Sequence, residues 1–273
     1  MQKLLFVLFK GLLSTSVIAT PVASMATLTE PTDIAGIVWS DTNGNSIQDL
    51  SDKGISNIPI SLIGKTTYET VTGNDGAFAF ENIEPGSYTL CEDISDSWIQ
   101  TFPRKSASCP NGSIGYSVEF PHNTTLLEKG FGNFETFFIK GRSFDDANND
   151  SVYTNVTLDP ALPGWEIRLT YKDRNTPPHC ESGYDAFPAV IIGNACVVVT
   201  NANGNYQFQN LGPGTYSVNE IKRRGFLQTY PTETSGLGGE NNGTYTIEGE
   251  SGIDRSNRNF GTFEFWAPPA GAL

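Results

Sequence analysis

Apolar and polar residues alternate along much of this chain with a period of two, the spacing of strands rather than helices. Ile34-Ala35-Gly36-Ile37-Val38-Trp39 is an apolar run of strand length. In Ala77-Phe78-Ala79-Phe80 the two aromatics fall on one face, and Tyr206 and Phe208 share a face in the same way. Asn74-Asp75-Gly76 and Asn203-Gly204 precede these runs and read as hairpin turns. Pro85-Gly86 and Pro213-Gly214 are further turns, followed by the strands Tyr88-Thr89-Leu90 and Tyr216-Ser217-Val218. Turn signals recur roughly every ten residues between aromatic-rich runs, which predicts small β-sandwiches.

The pattern occurs twice. Ile34-Ala35-Gly36 returns as Ile139-Lys140-Gly141, and Asp41-Thr42-Asn43-Gly44-Asn45 returns as Asp146-Ala147-Asn148-Asn149-Asp150, both at an offset of 105. The stretch from Asn74 to Tyr88 returns as Ala202 to Tyr216 at an offset of 128, and Phe131-Gly132-Asn133-Phe134 returns as Phe260-Gly261-Thr262-Phe263 at 129. The second copy therefore carries 23 extra residues, mostly around 156–162 and 171–193. The repeat predicts one sandwich at 33–137 and a second at 138–265, with a very short linker near Glu135–Phe138 and a tail at 266–273.

Composition narrows the setting. A chain of 273 residues has room for about two domains. Its net charge of −13 argues against nucleic acid as a partner and fits a secreted or calcium-rich surface protein. Residues 1–26 read as a secretory signal peptide: Lys3 is the basic start and Leu4 to Leu13 is apolar apart from Lys10. Ser24-Met25-Ala26 suits a cut before Thr27, and a cut after Ser24 also fits. A retained anchor fits less well because Lys10 interrupts a short run; no other stretch has spanning length, so no transmembrane segment is expected after cleavage. Four cysteines, Cys91, Cys109, Cys180 and Cys196, are an even number that suits disulfides in an oxidising compartment.

The candidate chemistry lies in the loop after the first strand. Asp41, Asn43, Asn45, Asp49 and Asp52 occupy relative positions 1, 3, 5, 9 and 12, the ligand spacing of an EF-hand-type calcium loop. The carbonyl of Ile47 at position 7 would complete a ring of hard oxygens, which Ca²⁺ needs in numbers of about six to eight. Two positions depart from that loop: Asp52 replaces a bidentate Glu, and Ser46 replaces Gly. The plainer reading is an Asx-rich turn without metal.

In order, the chain reads Trp39-x-Asp41-x-Asn43-x-Asn45, then Gly54-Ile55-x-x-Ile58-Pro59-Ile60-x-Leu62, then Thr72-x-x-Asp75-Gly76-x-Phe78-x-Phe80, then Pro85-Gly86-x-Tyr88, then Phe131-Gly132-Asn133. This order resembles the SdrD B-like domain, the calcium-binding B repeat of serine-aspartate repeat surface adhesins. The resemblance covers both copies. It implies an all-β fold of two tandem Ig-like, transthyretin-like (collagen-adhesin B-type) sandwiches. It also implies a calcium-stiffened, non-enzymatic spacer of an extracellular or cell-surface protein. In the second copy Asp146, Asn148 and Asp150 match positions 1, 3 and 5, but Thr154 stands at position 9, and Asp159 resembles the loop's end after a short insertion. The chain has no serine-aspartate stalk or wall-sorting tail, so attachment to a wall does not carry over. The cysteines are expected to pair within the copies, Cys91 with Cys109 and Cys180 with Cys196.

Catalysis is not expected. His122 and His179 sit in no nucleophile or zinc pattern, and no carboxylate pair stands apart from the solvated and loop ones. Lys140, Glu220 and Asn259 suggest the parts of a Lys–Asn crosslink found in related sandwiches, with a surface lysine as the plainer reading. Glu92 and Glu220 occupy matched positions and are expected either to join a metal site or to be solvated. Asn111, Asn123, Asn149, Asn155 and Asn242 open glycosylation sequons. Trp98, Tyr171 and Tyr184 are candidate contacts for a sugar or protein. The partner expected is an extracellular protein or glycan, and the alternative to a structural role is a binding module using the 171–195 insertion.

Overall fold

A computed structural model describes residues 32–120, 127–172, 179–184, 188–232, 239–240 and 243–265. The expected signal peptide, His122, the sequons at Asn123 and Asn242 and the 266–273 tail lie outside the described residues. The first half holds β1 (Thr32–Ser40), β2 (Pro59–Ile63), β3 (Tyr68–Val71), β4 (Ala77–Glu81), β5 (Gly86–Glu92), β6 (Trp98–Phe102), β7 (Ala107–Ser108), β8 (Ile114–Phe120) and β9 (Leu127–Glu135). The second holds β10 (Phe137–Asp145), β11 (Glu166–Tyr171), β12 (Val190–Ile192), β13 (Ala195–Val199), β14 (Asn205–Leu211), β15 (Thr215–Glu220), β16 (Phe226–Tyr230), β17 (Gly239–Glu240), β18 (Thr244–Glu248) and β19 (Phe260–Glu264).

Each half is a sandwich of two sheets. In the first, β4-β1-β9-β6 faces β3-β2-β5-β8-β7; in the second, β14-β10-β19-β16 faces β12-β13-β11-β15-β18-β17. The opening and closing strands of each half pair in parallel, Trp39 opposite Gly132 and Phe144 opposite Gly261. Parallel neighbours cannot be joined by a tight hairpin, so the rest of each half is the crossover between them.

Alternation sets the cores. Phe78 and Phe80 point inward with Ile34, Val38, Leu62, Leu90 and Phe131; Tyr206 and Phe208 do the same with Ile139, Leu169, Val218 and Phe260. Burying each such large side chain contributes about 1.5–3 kcal/mol. Gly36 is fixed by close packing, since a Cβ there would lie 1.8 Å from the Lys129 carbonyl oxygen.

The strand sets divide at Thr136, and the joint is tightly packed. Phe134, on β9, is fully buried in the core of the second half, edge-on to Phe137 with centroids 6.3 Å apart. Ser251, between β18 and β19, donates its N–H to the Thr42 carbonyl (3.0 Å), and its hydroxyl accepts the Glu135 N–H (2.7 Å). Gly252 donates to the Glu135 carbonyl at 3.0 Å. At Gly44, φ is +70° and a Cβ would lie 2.0 Å from the Pro213 Cβ, so this position needs glycine on both counts.

Candidate metal centre

The first loop starts where β1 ends. Asp41 donates its N–H to the Asn133 carbonyl at 2.8 Å, and its side chain is fully buried. One carboxylate oxygen accepts the Asn45 N–H (3.1 Å) and the other the Ser46 N–H (2.8 Å). The Asn43 oxygen accepts the Asn45 N–H (3.0 Å), and the Asn45 oxygen accepts the Ile47 N–H (2.7 Å). These Asx turns curl the chain so that Asn43 and Asn45 both donate their amides to one Asp49 oxygen, each at 2.9 Å. Asp52 closes the loop, accepting Thr42 N–H (3.1 Å) and Asp49 N–H (2.9 Å). Ser46, where an EF-hand has Gly, takes the left-handed conformation with φ of 66°.

The second loop repeats this wiring. Asp146 is fully buried and accepts the Asp150 and Ser151 N–H groups at 3.0 and 2.9 Å. Asn148 accepts the Asp150 N–H (3.2 Å), and Asp150 accepts the Val152 N–H (2.9 Å). Ser151 matches Ser46 with φ of 60°. Asp159 does the work of Asp52: its Oδ2 accepts the Thr154 N–H at 2.6 Å, as Asp52 Oδ2 accepts from Asp49. The inserted residues are taken up in a turn in which Asp159 N–H donates to the Asn155 carbonyl at 2.8 Å. With Thr154 at position 9, the Asn148 amide turns to Asp150 instead, at 2.8 Å.

The donor set is carboxylate, amide and carbonyl oxygen, the chemistry that suits Ca²⁺ or Mg²⁺ rather than a softer metal. Among the described residues no three His, Cys, Asp or Glu side chains form a ready cluster. Two observations nonetheless fit a cation. Asp41, Asp146 and Asp159 are wholly buried, and none forms an ion pair with a basic side chain among the described residues. Asp159 Oδ1 is buried with no hydrogen-bond partner, an arrangement that costs about 1–3 kcal/mol or more until something satisfies it. Neighbouring Asp145 reports the same concentration of negative charge: burial raises its carboxyl above the usual range, and Glu264, Asp146 and Asp159 raise it further.

Glu92 and Glu220 belong to neither loop, and neither is solvated. Glu92 is fully buried on β5, with Oε2 accepting the Asn133 amide at 2.8 Å and Oε1 unpartnered. Burial pushes its carboxyl up to about 8. Glu220 accepts the hydroxyls of Ser143 and Thr262, both at 2.7 Å, and burial raises its carboxyl too. The signal was in the alternation: Tyr88, Leu90 and Glu92 share one strand face, as do Tyr216, Val218 and Glu220. Lys140 does not join Glu220; its ammonium stands 4.6 Å over the Phe138 ring on the outer face.

Cys91 bonds Cys109 and Cys180 bonds Cys196, with Cα separations of 5.9 and 5.2 Å. The second bridge ties the insertion to β13. His179 is exposed, 3.3 Å from Glu181. Trp98 is half-buried on β6, and Tyr171 packs edge-on against Tyr216 with its hydroxyl on the Pro213 carbonyl. Asn111 donates its amide to the Glu92 carbonyl at 3.0 Å, while Asn149 and Asn155 lie in the second loop.

Residues 32–133 match the family model of the SdrD B-like domain. Over 236 residues the chain is 27% identical to serine-aspartate repeat-containing protein F of Staphylococcus epidermidis, spanning 83% of this chain and 13% of that protein. It is 25% identical over 239 residues to serine-aspartate repeat-containing protein D of Staphylococcus aureus strain Newman, spanning 85% and 17%. The chain thus spans less than a fifth of the length of these curated relatives. Of solved structures, the minor pilin of Streptococcus agalactiae aligns over 88% of this chain and 99% of its own, at 12% identity and a TM-score of 0.34.

Proposed function

From the match of residues 32–133 to the SdrD B-like domain, we propose that this chain is a non-catalytic, calcium-stabilised structural module of a secreted or cell-surface adhesive protein. Asp41, Asn43, Asn45, Asp49, Asp52 and the Ile47 carbonyl would hold one ion, and Asp146, Asn148, Asp150 and Asp159 a second. The ion supplies a positive charge that lets buried carboxylates face one another.

The observation that carries the reading is Asp159 Oδ1, a buried carboxylate oxygen facing no donor at the end of an Asx-lined loop. The first loop adds a mechanical consequence. It touches the second sandwich through Thr42 and Gly44, so filling it stiffens the joint as well as one fold. A non-catalytic role is supported by the similarity to serine-aspartate repeat proteins and fits the separation of the two buried glutamates. Glu92 and Glu220 lie in separate sandwiches, each bonded to amide or hydroxyl groups rather than to a second acid. Calcium titration calorimetry of the mature chain is the test, with saturable binding at two sites expected and loss of the second site in Asp159→Ala.

A second reading, recognition of an extracellular protein or glycan by the 171–195 insertion, is favoured by one observation. Val190, Ile191 and Ile192 on the edge strand β12 are 55%, 56% and 52% exposed. Replacing all three by Thr should keep the fold and reduce any adhesion the chain supports; unchanged adhesion would reject this reading.

A further inference from the structure

We propose that the outer face of the second sandwich carries a binding site for a carboxylated saccharide. The site is a pocket of ≈410 Å³ lined by Lys140, Arg142, Tyr153, Tyr184, Asn205 and Asn259. It goes beyond the structural role above, because none of the loop carboxylates lines it.

Strand geometry builds the floor. Lys140 and Arg142 alternate along β10, so both side chains stand on the outer face, and Arg142 lies opposite Asn205 on β14. Arg142 is held by two side chains, Asn205 and Tyr153. Its Nε donates to the Asn205 oxygen at 3.2 Å, its guanidinium lies 5.0 Å from the Tyr153 ring centre, and its Nη1 donates to the Tyr153 hydroxyl. The Asn259 oxygen accepts the Arg142 backbone N–H at 3.1 Å, which turns the rest of that amide to the pocket's rim. The insertion supplies the remaining wall. Gly183 N–H donates to the Gln207 carbonyl at 3.1 Å and Ser182 bridges Phe208, so Tyr184 is carried along the outer edge of β14.

The chemistry selects the ligand class. Among the described residues no Asp or Glu lines this pocket, although the chain carries a net charge of −13. Neither Lys140 nor Arg142 forms an ion pair among the described residues. A fixed guanidinium beside an ammonium recognises a carboxylate, the guanidinium by two parallel hydrogen bonds. The Tyr184 ring offers a flat apolar face, and the Asn205 and Asn259 amides offer N–H donors beside oxygens that already accept from Arg142, which match a sugar ring and its hydroxyls. The volume lies near the low end of small-ligand sites, about 300–1,000 Å³, enough for roughly one or two sugar rings. An extended peptide fits less well, because the edge of β14 that strand addition would need is already occupied by residues 181–183.

The first sandwich serves as an internal control. Its counterparts of Lys140, Arg142, Asn205 and Asn259 are Ala35, Ile37, Ala77 and Gly130. The fold therefore does not require polar residues at these positions, and the second copy alone has assembled them.

The test is titration calorimetry of the full mature chain in calcium with digalacturonate and sialyllactose as acidic probes. Lactose, inorganic sulfate and hexaglutamate are the comparisons. Saturable binding of at least one acidic saccharide is expected, with lactose at least about tenfold weaker. Lys140→Glu and Tyr184→Ala should each weaken that binding about tenfold or more without lowering the melting temperature. Arg142→Gln is read only beside its melting curve, because Arg142 also packs on Tyr153. Binding of neither acidic saccharide would overturn the proposal. So would sulfate or hexaglutamate binding as tightly as the saccharide, or an affinity indifferent to Lys140→Glu.

Discussion

The backbone N–H of Ser251 in the second sandwich donates to the carbonyl of Thr42, the second residue of the first ligand loop, at 3.0 Å. The loop that would hold an ion is thus also a bearing surface of the joint. With Thr136 alone between β9 and β10, the two sandwiches have little slack. Spin labels at exposed Lys65 and Lys222 should give a narrow distance distribution in calcium and a broad one in chelator. A distribution unchanged by chelation would uncouple the loop from the joint.

Phe134 belongs by sequence to the first sandwich and by packing to the second. Phe134→Ala should cost about 3–5 kcal/mol, the usual range for emptying a buried aromatic site. The loss should appear in scanning calorimetry as a lowered melting of the second sandwich. A transition lowered only in the first would contradict this packing.

Much of this was legible in the sequence, and the omissions have physical causes. The period-two aromatics placed Phe78, Phe80, Tyr206 and Phe208 in the cores. The repeat placed both Asx loops, and even Asp159, displaced by an insertion, falls where Asp52 does. What could not be read was sharing between distant segments. Phe134 looks like any closing-strand aromatic until Phe137 is seen beside it, and nothing local marks Ser251 as a partner of Thr42. The pocket at Lys140 and Arg142 needs Tyr184, carried in by a β-bridge from an insertion of irregular pattern. Of the two expectations for Glu92, a metal site or solvation, burial on β5 overturns solvation, which the strand periodicity already spoke against.

Glu92 gives a pH signature. Its carboxyl is raised by burial from 4.5 to about 8, so between these values the folded chain holds a proton the unfolded chain has lost. Stability from this group is therefore complete below about 4.5 and falls as pH rises through about 8. Glu92→Gln keeps an acceptor for Asn133 and removes the titration. Its melting temperature should match the parent near pH 5 and exceed it at pH 8.5, by an amount corresponding to a few kcal/mol at most (~1.4 kcal/mol per pKa unit). Parallel pH profiles for the two proteins would refute the assignment.

Asp159→Asn should change sign with calcium. In chelator the substitution removes a buried, unpartnered negative oxygen and should raise stability by about 1–3 kcal/mol. In calcium it weakens a ligand and should lower stability relative to the parent. Melting curves under both conditions read the crossing, and a variant equally stable or unstable relative to the parent in both would rule out a cation at this loop.

The most direct measurement is the melting temperature of residues 27–273 in calcium and in chelator. A cation bound only by the folded loops adds about 2.7 kcal/mol per site at a hundredfold excess over Kd. For sandwiches of this size that corresponds to a rise of roughly 10 °C or more. The rise should grow with calcium concentration and be largely lost in a variant carrying both Asp41→Ala and Asp146→Ala. Identical melting in calcium and in chelator would contradict the account at its centre.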